Sequence, residues 1–179
     1  MTNYGVQTSN AVITGLFRDL DKANRAYQTL IDLGYDQTSI NVVMTDKTRD
    51  QWYRTQTPIE VEHGNKALEG ASVGGAIGGT VGAVLAAAIA VGAAITLPGI
   101  GLVIAGPIAA ALAGAGAGGL TGGVIGALVG AGIPEERAKN LEKGITGGGV
   151  LISVSPRSES DAQKIERDWK EIGGQFVER

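Results

Sequence analysis

Residues 11–17, AVITGLF, form an apolar run rich in β-formers and read as a strand. From Arg18 to Leu33 the apolar positions recur every three or four residues: Leu20, Ala23, Ala26 or Tyr27, Leu30 and Leu33. That period predicts an amphipathic helix, with Asp19 as its N-cap and Gly34 just past its end. INVVMT at 40–45 is a second strand. GVLISVS at 149–155 is a third, stopped by Pro156. Ser158 is placed to cap the next helix, with Asp161 three residues on as in a capping box. Ala162, Ile165, Trp169 and Ile172 give that helix a buried face, Gly173 and Gly174 end it, and QFV at 175–177 is a short last strand. Two βαβ halves make βαββαβ, a ferredoxin-like α+β arrangement of four antiparallel strands with two helices on one face. Neither half has enough core alone, so the halves are expected to fold together across whatever separates them.

What separates them follows neither period. From Gly70 to Pro134, 65 residues contain no Lys, Arg, Asp, Glu or His, and only Ser72, Thr80, Thr96 and Thr121 carry polar side chains. This insert predicts two helices, about 67–97 and 107–132, around a turn containing Pro98, Gly99, Gly101 and Pro107. Glycine recurs every fourth residue in each: Gly70, Gly74, Gly78 and Gly82, then Gly114, Gly118, Gly122, Gly126 and Gly130. Shorter second rows lie at Gly75 and Gly79 and at Gly119 and Gly123. In water, six glycines between 70 and 82 would cost a helix roughly 6 kcal/mol against alanine. In hydrocarbon, unpaired peptide groups make helix compulsory, and bare i, i+4 rows let backbones approach closely. One row would serve the sister helix and the other a neighbouring copy, which points to a homo-oligomer; the alternative is one broad groove used only within the monomer. The domain boundaries expected are 1–65 for the first half with its connector, 66–133 for the glycine-zipper hairpin, and 134–179 for the rest. The last part opens with a short helix, PEERAKNLEKG at 134–144, with Ala138, Leu141 and Ile145 on its apolar side and Gly144 at its stop.

Charge adds an orientation. Lys66 precedes the insert, and Arg137, Lys139 and Lys143 follow it, which places the flanks on the cytoplasmic side of any membrane. Trp52, Tyr53 and Arg54 in the connector are interfacial anchor candidates, with packing on their own domain as the alternative. The bulkier tip, Val84–Leu112, has neither charge nor aromatic anchor, so two readings stay open. The hairpin is either re-entrant in lipid, or it is buried against other copies in a soluble, cytoplasmic shell or filament. The first ten residues lack the basic start and apolar run of a signal peptide.

Candidate chemistry is sparse. The chain has no cysteine, which excludes a thiolate nucleophile, a disulfide framework and Cys-ligated metal. His63 is the only histidine; with Glu60, Glu62, Asp46 and Asp50 nearby it reads better as a solvated linker than as a metal centre. GAGAGG at 114–119 matches a dinucleotide fingerprint in letters but sits within an apolar helical pattern rather than after a strand. GITGGG at 144–149 lacks the Lys-Ser/Thr ending of a phosphate loop and reads as a flexible joint. A net charge of −3 and the absence of aromatics in GVLISVS give no reason to expect nucleic acid. No catalytic residue, cofactor or metal is expected, and the chain reads as a non-enzyme.

ALEGASVGGAIGGTVGAV, the LPGIG…AGPIAAALAGA turn and GIPEERAKNLEKGITGGGVLISV resemble a bacterial family of general stress or low-temperature-induced proteins. The resemblance runs from GLFRDLDKANRAYQTLIDLGY to the final strand and is most distinctive over Ile133–Val154. It implies a stress-linked, membrane-associated protein and supplies no catalytic residues. The function expected is structural: a glycine-zipper hairpin that self-associates in or on a membrane, with lipid and a second copy as partners. A soluble assembly is one alternative. A small-ligand sensor coupled to the hairpin is another, though no ligand can be named. A pore is weaker, because few polar side chains are available to line a lumen.

Overall fold

A computed structural model describes residues 12–56, 95–97, 101–109 and 123–179. The fold is α+β. Six strands, β1 (Ile13–Phe17), β2 (Ile40–Thr45), β3 (Ile95–Leu97), β4 (Leu102–Ala105), β5 (Val150–Val154) and β6 (Gln175–Glu178), form one sheet. Their order is β3-β4-β2-β5-β1-β6, and every neighbouring pair is antiparallel. The described helices are α1 (Leu20–Asp32), α2 (Asp46–Gln56), α3 (Gly123–Gly130), α4 (Glu135–Thr146) and α5 (Glu159–Ile172).

The helices of the two halves begin where their caps predict. Asp19 accepts from the Lys22 amide at 3.1 Å, and Ser158 Oγ accepts from the Asp161 amide at 3.1 Å. The second half of the expected capping box does not form. The Asp161 carboxylate instead accepts from the Tyr35 hydroxyl at 3.0 Å and from Arg157 Nε at 3.2 Å. Arg157 stacks over the Tyr35 ring at 4.1 Å and donates to the carbonyls of Leu33 and Gly34. One guanidinium thus ties the start of α5 to the end of α1, satisfying carbonyls that α1 leaves open.

The pleat divides the sheet into two apolar faces. Ile13 and Phe17 of β1, Val150, Ile152 and Val154 of β5, and Ile40, Val42 and Met44 of β2 pack with α1 and α5. Trp169 of α5 is fully buried there, with its ring edge-on to Phe17 at 5.7 Å and its indole N–H donating to the Ala26 carbonyl at 3.1 Å. The other face carries Leu16, Val43, Leu102, Ile104 and Leu151, and it packs with α3 and α4. Strands β1 and β5 are buried along their whole length. Helices therefore cover both faces of the sheet, where the sequence pattern predicts them on one.

The largest departure from the sequence reading lies in the insert. Residues 95–97 and 102–105 belong to strands, not to the tip of a helical hairpin. β4 pairs with β2 from Val42↔Ala105 to Thr45↔Leu102, and β3 pairs with β4. Gly101 does sit in a turn, but it is the turn of a β-hairpin, and its carbonyl accepts from the Asp46 amide at the start of α2 at 2.8 Å. Pro107 opens a short helical turn at 107–109. The physical reason is that β4 is buried on both faces, so it reads as an unbroken apolar run, which periodicity cannot tell from a buried helix. β-Branched Val103 and Ile104 and the free side of β2 decide the outcome. Gly106 makes the exit possible. Its φ is +94°, and a Cβ there would strike the Ile40 carbonyl oxygen and lie 2.9 Å from Asn41 Cα.

Tyr27 is fully buried, and its hydroxyl has no hydrogen-bond partner. Burial, helped by the Asp36 charge, pushes its pKa up to about 12. The neutral form is the one the fold favours, so this group's stabilisation is complete below the ordinary tyrosine value near 10 and is lost as pH rises from there through about 12. Tyr27→Phe removes a buried donor that bonds to nothing. Stability at pH 7 should be unchanged or raised by up to ~1 kcal/mol. The decline between pH 10 and 12 should be shallower than in the parent. Thermal melts at pH 7 and pH 11 check both, and a loss above ~1 kcal/mol at pH 7 would show that the hydroxyl is bonded.

Candidate assembly surface

The insert returns to the domain through α3, Gly132, Ile133 and α4. α3 has no charged residue and is apolar all round, GVIGALVG. Such a helix is normally enclosed on every side. Here one side is enclosed: Val124, Ala127 and Leu128 share a buried cluster with Ala138, Leu141 and Ile145 of α4 and with Leu102 and Ile104 of the sheet. The opposite side is open. Val129 is 43% exposed, Gly126 is half-buried, and Gly130 is exposed with nothing within 4 Å of a Cβ built on it, while Ile125 packs against the buried cluster.

Three of the ladder glycines can therefore be placed. Gly126 and Gly130 lie in α3, and Gly123 begins it. The α3–α4 contact runs through larger apolar side chains, so Gly130 is not spent on packing within the described chain. Gly70, Gly74, Gly75, Gly78, Gly79, Gly82, Gly114, Gly118, Gly119 and Gly122 lie outside the described residues, as do Pro98, Gly99 and Lys66.

One glycine outside the ladders is used for close packing. Gly144 does not stop α4, which continues to Thr146. It lies buried against Leu16 of β1, where even a methyl group would overlap the Leu16 side chain. Gly149 packs on the Gly144 carbonyl and on Leu16 in turn. The two ends of the 144–149 segment are thus packed, while Thr146 and Gly147 between them are exposed and a Cβ on Gly148 would meet nothing within 4 Å.

Of the interfacial candidates, Trp52, Tyr53 and Arg54 fall in the second half of α2. Lys139 is exposed and pairs with Glu135 one turn earlier at 2.7 Å, which raises the ammonium's pKa and lowers the carboxyl's. Arg137 is not an interfacial anchor. Its side chain is only 13% exposed and is folded onto the sheet. Nη2 donates to Thr14 Oγ1 at 2.6 Å and to the Glu178 carbonyl at 2.8 Å, and Nε lies 3.4 Å from the Glu178 carboxylate. Burial pulls the guanidinium's pKa down, and the Glu178 charge opposes that. The buried Thr14 hydroxyl and the last carbonyls of β6 need a donor, and Arg137 supplies it.

Thr14 belongs to a row that sequence reasoning missed. Thr14, Ser153 and Asn41 are opposite one another across β1, β5 and β2, all buried on the α3–α4 side. Asn41 Oδ1 accepts from the Ile108 amide at 2.8 Å, while Ser153 Oγ has no partner. The signal was present as lone polar residues at alternate positions of VITGLF, INVVMT and LISVS. The row holds two later elements on the sheet: Asn41 fixes the chain at Ile108, and Thr14 receives Arg137 of α4.

No described helix is long and apolar enough to cross a membrane. No group of three or more metal-ligating side chains occurs among the described residues.

Comparison with known proteins finds no matching family model, no matching curated protein and no matching solved structure.

Proposed function

We propose that this chain is a non-enzymatic, stress-linked structural protein that self-assembles through its glycine-rich insert in or on a membrane. Its globular part is a ferredoxin-like unit, β1-α1-β2 and β5-α5-β6, interrupted between β2 and β5. The strand order β2-β5-β1-β6 supports that reading. The observation that carries the function is the 65-residue stretch without charge, Gly70–Pro134, whose glycine ladder reaches the open side of α3 at Gly126 and Gly130. The stress link rests on the sequence resemblance alone.

Density-gradient flotation of natively expressed protein, with and without an alkaline wash, tests the membrane part. The protein should float with lipid and stay there after the wash. A large lipid-free particle at the bottom of the gradient would replace this reading with a soluble shell. For the glycine part, Gly118→Leu with Gly122→Leu should weaken chemically cross-linked oligomers. Cross-linking equal to the parent's would remove the ladder from the mechanism. Because Gly130 meets no neighbour, Gly130→Leu should change folding stability by less than ~0.5 kcal/mol.

A further inference from the structure

β6 does not match β1 residue for residue. Leu16 pairs with Gln175 and Thr14 with Glu178, so two steps along β1 face three along β6. One residue of β6 is extra, as in a β-bulge. Phe176 lies in that interval with a φ of +51°, a left-handed conformation that a residue with a Cβ adopts at a cost. The bulge has a use. In a regular strand residues 175 and 178 would point to opposite faces. With one residue added, both lie opposite the α4-side residues of β1, while Val177 joins the core under α1 and α5. Burial gives this conformation little support, because Val177 is the only buried residue of β6. Polar contacts supply it. Thr14 Oγ1 of β1 lies 3.3 Å from the Phe176 carbonyl oxygen and 3.5 Å from that of Glu178. Arg137 of α4 completes the group by donating to both Thr14 Oγ1 and the Glu178 carbonyl. The other side-chain ties of β6 and Arg179, Arg18 on Gln175 and Arg179 on Glu159 and Glu166, are exposed and hold weakly.

We propose that Arg137 is a conformational latch: it keeps β6 in the bulged register only while α4 is seated on the sheet, so release of α4 releases β6. The guanidinium is the one group in this cluster carried by the helix layer rather than by a strand, and it is nearly buried there. α4 follows directly on the uncharged insert. The latch therefore passes the seating of the insert's returning end to the strand farthest from β3 and β4 in the sheet. Linkage makes the coupling reciprocal, so a closed β6 holds α4 down to the same degree. The latch is independent of whether the insert meets lipid or protein.

The cysteine-free chain makes a direct test available. Full-length Val177→Cys places one thiol where the parent side chain is buried, so its rate of reaction with a thiol reagent reports the opening of β6. Adding Arg137→Met should speed that reaction at least tenfold. Thr14→Val removes the hydroxyl between Arg137 and the bulge, and it should speed the reaction too, giving the readout if Arg137→Met does not fold. Leu141→Ala weakens the seating of α4 from within its buried cluster, away from the latch contacts, and should also speed the reaction at least tenfold. Leu30→Ala is the control. It lies in α1 on the opposite face of the sheet from α4, and it should lower the thermal midpoint yet speed the reaction less than threefold. A rate unchanged in the folded latch variants or in Leu141→Ala, or rates that follow the midpoint alone across all four variants, would overturn the inference.

Discussion

Gly144→Leu should unseat α4 from the sheet and cost ~3 kcal/mol or more. Helix propensity alone favours the change by about 1 kcal/mol, because Gly144 lies inside α4 and leucine is a good helix former. Packing decides against it. Leu16 is fully buried beneath Gly144, its Cδ2 methyl nearest that glycine and its Cδ1 methyl toward Gly149, so it has little room to retreat. The substitution should lower the thermal midpoint, and its effect should shrink when Leu16 is made smaller. Leu16→Ala alone should cost ~2–5 kcal/mol by leaving a cavity. The double variant should be more stable than the two losses predict by at least ~1 kcal/mol, because the new side chain fills that cavity. Additive losses would mean that residues 16 and 144 do not share a site. Paired with the near-neutral Gly130→Leu, this separates a glycine needed by the fold from one on which nothing packs among the described residues.

Trp169→Ala should cost ~3–5 kcal/mol, among the largest losses available to one side chain here. Trp169 joins three elements: it lies against Phe17 of β1, donates to the Ala26 carbonyl of α1, and is itself carried on α5. At about 2–4 °C per kcal/mol for a chain of this size, the midpoint should fall by on the order of 10 °C. Trp169→Phe should lose less, keeping a ring against Phe17 but giving up the indole hydrogen bond. Differential scanning calorimetry on the full chain measures both. A loss below ~1 kcal/mol for the alanine variant would show that the α1–α5 layer is not a core.

Some of this architecture was readable before any coordinates. α1, α5, β1, β2 and β5 were written by local signals: a 3.6-residue apolar period, Asp19 and Ser158 as caps, and short β-rich runs between glycines and prolines. The two helices have one polar side and a marked start, so their period survives in the sequence, while the three strands are short β-rich apolar runs bounded by turn residues. The partition between charged flanks and an uncharged insert was equally plain, and with it the case for an apolar partner.

What only the tertiary structure decided is how the insert is divided. LVIA at 102–105 has no polar side, so nothing local distinguishes a strand from a helix; the free side of β2 and the covering layer of α3 and α4 do. Arg137 looked like a flank cation, yet the buried Thr14 hydroxyl and the β6 carbonyls turn it inward. Gly144 looked like a helix stop, yet Leu16 beneath it makes it a contact. In each case the deciding atom lies on a strand distant in sequence. Local signals set the amphipathic helices and the short β-rich runs bounded by turn residues, and long-range packing set the elements that carry no such boundary or period.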